Sequence, residues 1–164
     1  MDTALSHRYD DLTRAATRLG SIAAHDALVL LKASFSAPKL MHTMRASPCS
    51  GQAALGKFDG LLKDCVCTIT NTDLTDVQWI QASWPVQCGG LGVRRMSSLA
   101  PSAFLASAAG TRDLQDLILS RCDASVDSAV NLVMDQWTII HGQSGVFSYS
   151  ARPQPSNMNG TSPP

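Results

Sequence analysis

Residues 80–95 read IQASWPVQCGGLGVRR, and this stretch separates two regions whose apolar residues recur at helical spacing. A proline cannot continue a helix, and glycine adopts backbone angles that other residues avoid. The stretch therefore predicts a short hairpin or a tight turn between helices. The residues that we expect to form it are Pro85, Gly89, Gly90 and Gly92.

The glycines do not match a known phosphate-binding loop. Gly89-Gly90-Leu91-Gly92 fits neither GxGxxG nor GxxxxGK[ST], and no strongly apolar strand precedes it. We therefore favour a structural turn over a nucleotide-binding loop.

The regions on both sides of this stretch carry apolar residues three and four positions apart, which is typical of amphipathic helices. The clearest helix covers residues 52–69, where Leu55, Phe58 and Leu62 fall on one face. We predict a mainly α fold, an irregular bundle of about seven helices around one or two small cores. The glycine-rich hairpin or turn is its one non-helical feature.

Several residues predict where helices begin and end. The first periodic segment begins at Asp10, so residues 1–9 are expected to be frayed. Ser36 precedes Pro38 by two residues and is a predicted N-cap. Thr75 or Asp76 is expected to cap a later helix, and Gly110 to end another.

Length and composition indicate one soluble domain with a packed core. The chain has 164 residues, of which 45% are hydrophobic and 16% charged. From Gly142 to Pro164 the sequence is rich in Ser, Pro, Gly and Asn and has no period. We expect these residues to form a disordered C-terminal tail.

The charge is balanced overall but unevenly distributed. The formal net charge is +0, which argues against a protein held on nucleic acid by bulk electrostatics. Ten Lys and Arg stand against eight Asp through Arg95, and three Arg against five Asp beyond it. A surface that faces phosphate is therefore expected in the first part of the chain. All 13 acidic residues are Asp, so no mechanism that needs a glutamate applies.

Six basic residues are candidates for contact with nucleic-acid phosphates. Lys39, His42 and Arg45 recur at every third position, and the other three candidates are Lys32, Arg94 and Arg95. The alternative is that they simply face water, as charged helix stripes usually do. Trp79, Trp84 and Trp137 are expected in the core or at helix seams rather than as base-stacking platforms.

Cysteine, histidine and hydropathy patterns indicate no cofactor. Five cysteines without a CxxC pair predict no metal site, and reduced, small apolar cysteines are expected instead. No signal peptide and no apolar run of about 20 residues is present, so we expect neither secretion nor a membrane span. The predicted location is intracellular, in the cytoplasm or the nucleus. No small-molecule substrate is predicted.

Eight segments of the chain, taken together and in order, resemble a region of a known protein family. They are His25–Leu31, Pro38–Leu40, Arg45–Cys49, Phe58–Asp59, Ile69–Asn71, Trp79–Ala82, Pro85–Arg94 and Leu99–Ala109. In this order they resemble the region that follows the catalytic palm in reverse transcriptases of non-LTR retrotransposons. The resemblance covers roughly residues 19–140.

The resemblance implies a fragment of an RNA-directed DNA polymerase. It assigns residues 10–71 to a thumb-like helical bundle and residues 72–141 to a connection-like helical region. In the family the palm, with its metal-binding aspartates, lies upstream of this region. The resemblance therefore implies no catalytic residue and no metal ligand within this chain.

Three hypotheses follow for the function. The first is a non-catalytic remnant of a reverse transcriptase that contacts an RNA or DNA duplex weakly and in a salt-sensitive way. The second is a helical protein-interaction module that binds a partner through the small residues of Ser98–Ala109. The third is a product without a selected function.

Overall fold

The structure is a computed structural model that describes residues 2–119 and 128–141. The described part is built from helices, and it contains no β-strand, so the predicted mainly α fold is confirmed. The helices are α1 (Asp2–Leu19), α2 (Ala24–Leu30), α3 (Ala37–Ala46), α4 (Ala53–Thr70), α5 (Asp76–Ala82), α6 (Met96–Leu119) and α7 (Ser128–His141). A π-helical turn, Leu31–Phe35, joins α2 to α3, and a 3₁₀ turn, Val86–Cys88, lies between α5 and α6. The predicted tail, residues 142–164, lies outside the described residues.

The core forms where α3 and α4 pack against α6 while α1 covers α4. Leu12, Leu40, Leu62 and Met96 are almost fully buried in a single apolar cluster. This cluster has members on both sides of the predicted boundary between residues 71 and 72. The assignment of these two ranges to a thumb and a connection stays a prediction.

The first helix begins earlier than the sequence predicts. α1 starts at Asp2 rather than at Asp10, so the helix extends through most of the segment for which the sequence predicts fraying. Leu5 is buried in the core cluster, and its burial favours the additional helical turns.

The break between α2 and α3 follows from Ser36 and Pro38. Ser36 occupies the N-cap position of α3, as predicted, but its hydroxyl does not cap that helix. It donates instead to the carbonyl oxygen of Lys32 at 2.9 Å, while the Ser36 N–H bonds to the Leu31 carbonyl oxygen in the π-helical turn. Lys32 therefore lies on a widened, π-helical turn between two helices.

The small residues of α6 are used within the chain. Ala100, Ala103 and Phe104 are buried, and α6 makes its most extensive packing contact with α3. Small side chains allow two helix backbones to approach closely. The face that we considered for an external partner thus already contributes to the protein's own core.

Candidate nucleic-acid interface

The glycine-rich stretch is a turn whose backbone N–H groups bond within the chain. Gly89 ends the 3₁₀ turn with φ +82°, and Gly92 has φ +76°, so both lie in the region that glycine tolerates best. The N–H groups of residues 88–92 donate, in order, to carbonyl oxygens of Pro85, Val86, Pro85, Ala82 and Trp84. A phosphate-binding loop needs such N–H groups pointing at the ligand. The turn therefore does not bind phosphate through its backbone.

Gly90 lies where the turn folds back on the end of α5. A Cβ atom added at this position would overlap the carbonyl oxygen of Trp84 and lie 2.7 Å from that of Gln81. Only a residue without a side chain fits at this point. The turn is thus held firmly against α5, which fixes the direction in which the chain enters α6.

Two of the six basic candidates meet beside this turn. Lys32, from the π-helical turn, and Arg94, from the segment before α6, line one open cleft of about 330 Å³. We call it the basic cleft, and its lining residues are Lys32, Pro85, Val86, Gln87, Gly92 and Arg94. Two of these described residues are cationic and none is acidic, so the basic cleft has a positive potential.

Lys39 lies elsewhere and is paired. Its Nζ atom is 3.4 Å from Asp11 Oδ2, and Asp11 also accepts from Arg14 at 2.6 Å. The hydrogen bond from Arg14 and the nearby Lys39 charge lower the pKa of Asp11. Because Asp11 neutralises part of this cluster, Lys39 is a weaker candidate for phosphate contact than Lys32 or Arg94.

His42 and Arg45 lie at a third position on the protein surface. They line an open depression of about 340 Å³ between the end of α3 and α6, together with Ala46 and Ser107. Arg95 is half-buried immediately before α6, where its carbonyl oxygen accepts from the Leu99 N–H. The six candidates are thus distributed over separate places. Lys32 and Arg94 share the basic cleft, whereas His42 and Arg45 share the depression beside α6.

Asp59, on α4, is a positioning residue for this region that the helical pattern did not single out. It is 6% exposed and accepts the backbone N–H of Met96 at 2.5 Å and that of Ser97 at 3.0 Å. The Ser97 hydroxyl donates to it as well, at 2.5 Å. The carboxylate therefore caps α6 from another helix and fixes the chain two residues after Arg94. The sequence signal for this role was the presence of a carboxylate within the apolar stripe of α4.

The tryptophans differ in their surroundings. Trp79 is 6% exposed and belongs to the core cluster, as predicted. Trp84 is 49% exposed, so its placement in the core or at a seam is wrong. It lies two residues beyond the end of α5, and its backbone carbonyl oxygen accepts the N–H of Gly92. Trp137 is half-buried on α7.

The thiols of the described residues act as apolar side chains or lie at the surface. Cys49 and Cys65 are buried in the core cluster, Cys67 is half-buried and Cys88 is exposed. Burial raises the pKa of the Cys65 thiol to about 11, so it stays protonated at neutral pH. Across residues 2–119 and 128–141, no group of three or more His, Cys, Asp or Glu side chains is arranged to hold a metal ion. In the same ranges, no helix has the length and apolar character needed to cross a membrane.

Comparisons with known proteins found no relative of this chain. The chain matches no protein-family model, no curated protein and no solved structure.

Proposed function

We propose that this chain is a non-catalytic helical part of a retroelement-type reverse transcriptase that contacts nucleic-acid phosphates through the basic cleft. The observation that supports phosphate contact is the placement of Lys32 and Arg94 on one cleft without an acidic neighbour among its lining residues. The order of the eight family-like segments supports the retroelement origin.

The formal net charge of the chain is +0, but the basic cleft concentrates two positive charges at one place on the surface. Electrostatic contact with a nucleic-acid backbone depends on local charge, and it weakens with salt in proportion to the number of phosphates neutralised. Two phosphate contacts correspond to a slope of about −1.8 for log K against log salt on duplex DNA. This slope is far below that of a protein with an extended basic face, so binding is weak at physiological salt.

A binding titration tests this function. Fluorescence anisotropy of a labelled RNA–DNA hybrid duplex is measured at low and at physiological salt for the full chain. Lys32→Ala/Arg94→Ala should weaken binding at low salt by roughly tenfold or more and reduce the salt slope by about 2. Arg18→Ala/Lys57→Ala removes the same charge from exposed positions on α1 and α4 and serves as the matched control.

Two results would contradict the proposal. One is the absence of binding by the unaltered chain at low salt. The other is equal weakening by the cleft variant and by the control variant, because binding would then depend on total charge rather than on the basic cleft.

A protein-interaction function is the second candidate, and the surface of α5 favours it. Val77 and Ile80 lie three residues apart on one face of α5 and are 76% and 43% exposed, and Trp84, two residues beyond the end of the helix, is 49% exposed. Exposed apolar residues in a row often mark a protein-binding surface. Light scattering over a range of protein concentrations tests self-association, with Val77→Glu as the variant that should abolish it.

A further inference from the structure

We infer that the basic cleft recognises the doubly charged phosphate of a phosphate monoester, as found at the end of a nucleic-acid strand or on a free mononucleotide. We base this on the nucleic-acid contact proposed above, because both involve the same residues. The difference is the charge of the ligand, since a backbone phosphate is a diester that carries one negative charge.

The charge of the cleft matches a dianion. Lys32 and Arg94 provide two positive charges, and the other lining residues are uncharged. A phosphate monoester carries a charge of about −1.5 to −2 at pH 7. Because each cation attracts the whole charge of the ligand, a dianion gains more from this pair than a diester does.

The hydrogen-bond donors in the cleft also indicate that a phosphate would be recognised by its charge rather than by its shape. The N–H groups of residues 88–92 are engaged by carbonyl oxygens, as described above. Among the lining residues, Lys32, Arg94 and Gln87 carry the polar side chains. A site of this kind selects for charge density, and a phosphate monoester has a higher charge density than a phosphate diester.

Gly92 positions one of the two cations. A Cβ atom added at Gly92 would lie 2.9 Å from Lys32 Nζ and 3.0 Å from Lys32 Cε. The end of the Lys32 side chain therefore occupies space beside the Gly92 Cα atom that a larger residue at this position would fill. Gly92 is thus a positioning residue, acting through Lys32.

The size of the cleft leaves room for more than a phosphate group. Its volume of about 330 Å³ lies at the lower end of the range for small-molecule sites. Pro85 and Val86 provide an apolar wall beside the cations. A sugar attached to the phosphate can pack against that wall, which suits a terminal nucleotide or a free mononucleotide.

The experiment compares three ends of one RNA–DNA hybrid with the full chain. The 5′ end carries a phosphate, a methyl phosphate of nearly the same size and a single charge, or a hydroxyl group. Anisotropy at low salt should show the phosphate end binding roughly tenfold tighter than the other two. Lys32→Ala and Arg94→Ala should each remove this preference, whereas Arg18→Ala should keep it.

Gly92→Ala tests the positioning role. It should reduce the preference for the phosphate end, because a methyl group at this position displaces the Lys32 ammonium group. Since Gly92 has a positive φ, the circular dichroism spectrum is the check that the variant keeps its fold. If Gly92→Ala alters the spectrum, the test passes to Lys32→Gln, which removes the charge from an exposed position. Retention of the preference in that variant would overturn the inference.

The outcomes separate this inference from the proposed function. Equal binding of all three ends, weakened by Lys32→Ala/Arg94→Ala, would overturn the inference and leave the proposed function standing. Absence of binding to every duplex and to a mononucleotide would overturn both. Competition by a mononucleotide as strong as that by a phosphorylated strand would support the inference and identify the free ligand as the source.

Discussion

Gly90 is the residue at which the turn between α5 and α6 tolerates a side chain least. Gly90→Ala brings a Cβ atom onto the backbone carbonyl of Trp84, and neither partner is the end of a flexible side chain. We expect this substitution to lower the free energy of unfolding by about 1–3 kcal/mol. Urea denaturation followed by circular dichroism measures the change.

Gly60→Ala is the control for that prediction. Gly60 lies within α4, and a Cβ added there would have no neighbour within 4 Å. Alanine favours the helix over glycine, so this substitution should raise the free energy of unfolding by about 0.5–1 kcal/mol. If both variants change stability in the same direction, the contact between Gly90 and Trp84 does not decide the effect.

At the scale of elements, Asp59 is the link that joins α4 to the start of α6. Asp59→Ala would leave the buried N–H of Met96 and the groups of Ser97 without their acceptor. We expect a loss of about 2–4 kcal/mol in the free energy of unfolding. Asp59→Asn should cost less, because it keeps one acceptor oxygen.

Asp64→Ala is the matched control on the same helix. Asp64 is exposed, so its removal should change the free energy of unfolding by no more than about 0.5 kcal/mol. A comparable loss of unfolding free energy in the two alanine variants would show that stability depends on the charge of α4 rather than on the cap on α6.

Helix periodicity predicted the elements better than it predicted their connections. The spacing of Leu55, Phe58 and Leu62 marks α4 closely, because one face of that helix is buried along its length. Gly110 was expected to end a helix, yet α6 continues through it to Leu119. Glycine retains its N–H and costs a helix only about 1 kcal/mol, so it need not break one.

The candidate site was predictable only in part, because it depends on contacts between distant segments. Local sequence identified Lys32 and Arg94 as separate cations, and the glycines as a turn. That these two cations share a cleft follows from the packing of the π-helical turn beside Gly92, which no local pattern encodes. The capping role of Asp59 likewise depends on a partner 37 residues away.

At the scale of the whole molecule, the shared core predicts that residues 2–119 unfold in one cooperative step. α3 is the main packing partner of α6, although the resemblance assigns these helices to different regions. A fragment of residues 1–71 would expose Leu40 and Met44, which are now fully buried. Burial of apolar faces, rather than intrinsic propensity, provides most of the stability of helices of this length. The fragment should therefore have much less helix than the same residues have in the full chain.

Circular dichroism of fragments 1–71 and 72–164, alone and mixed, measures this dependence against the full chain. A chain ending at residue 141 is the control, because it keeps every buried residue that the structure describes. It should unfold in guanidinium at the same midpoint as the full chain, with tryptophan fluorescence and circular dichroism giving coincident transitions. A fragment 1–71 that is fully helical and unfolds cooperatively by itself would instead establish the boundary at residues 71 and 72 as a division between independent folding units. The core contacts of α3 with α6 would then be an interface between two domains.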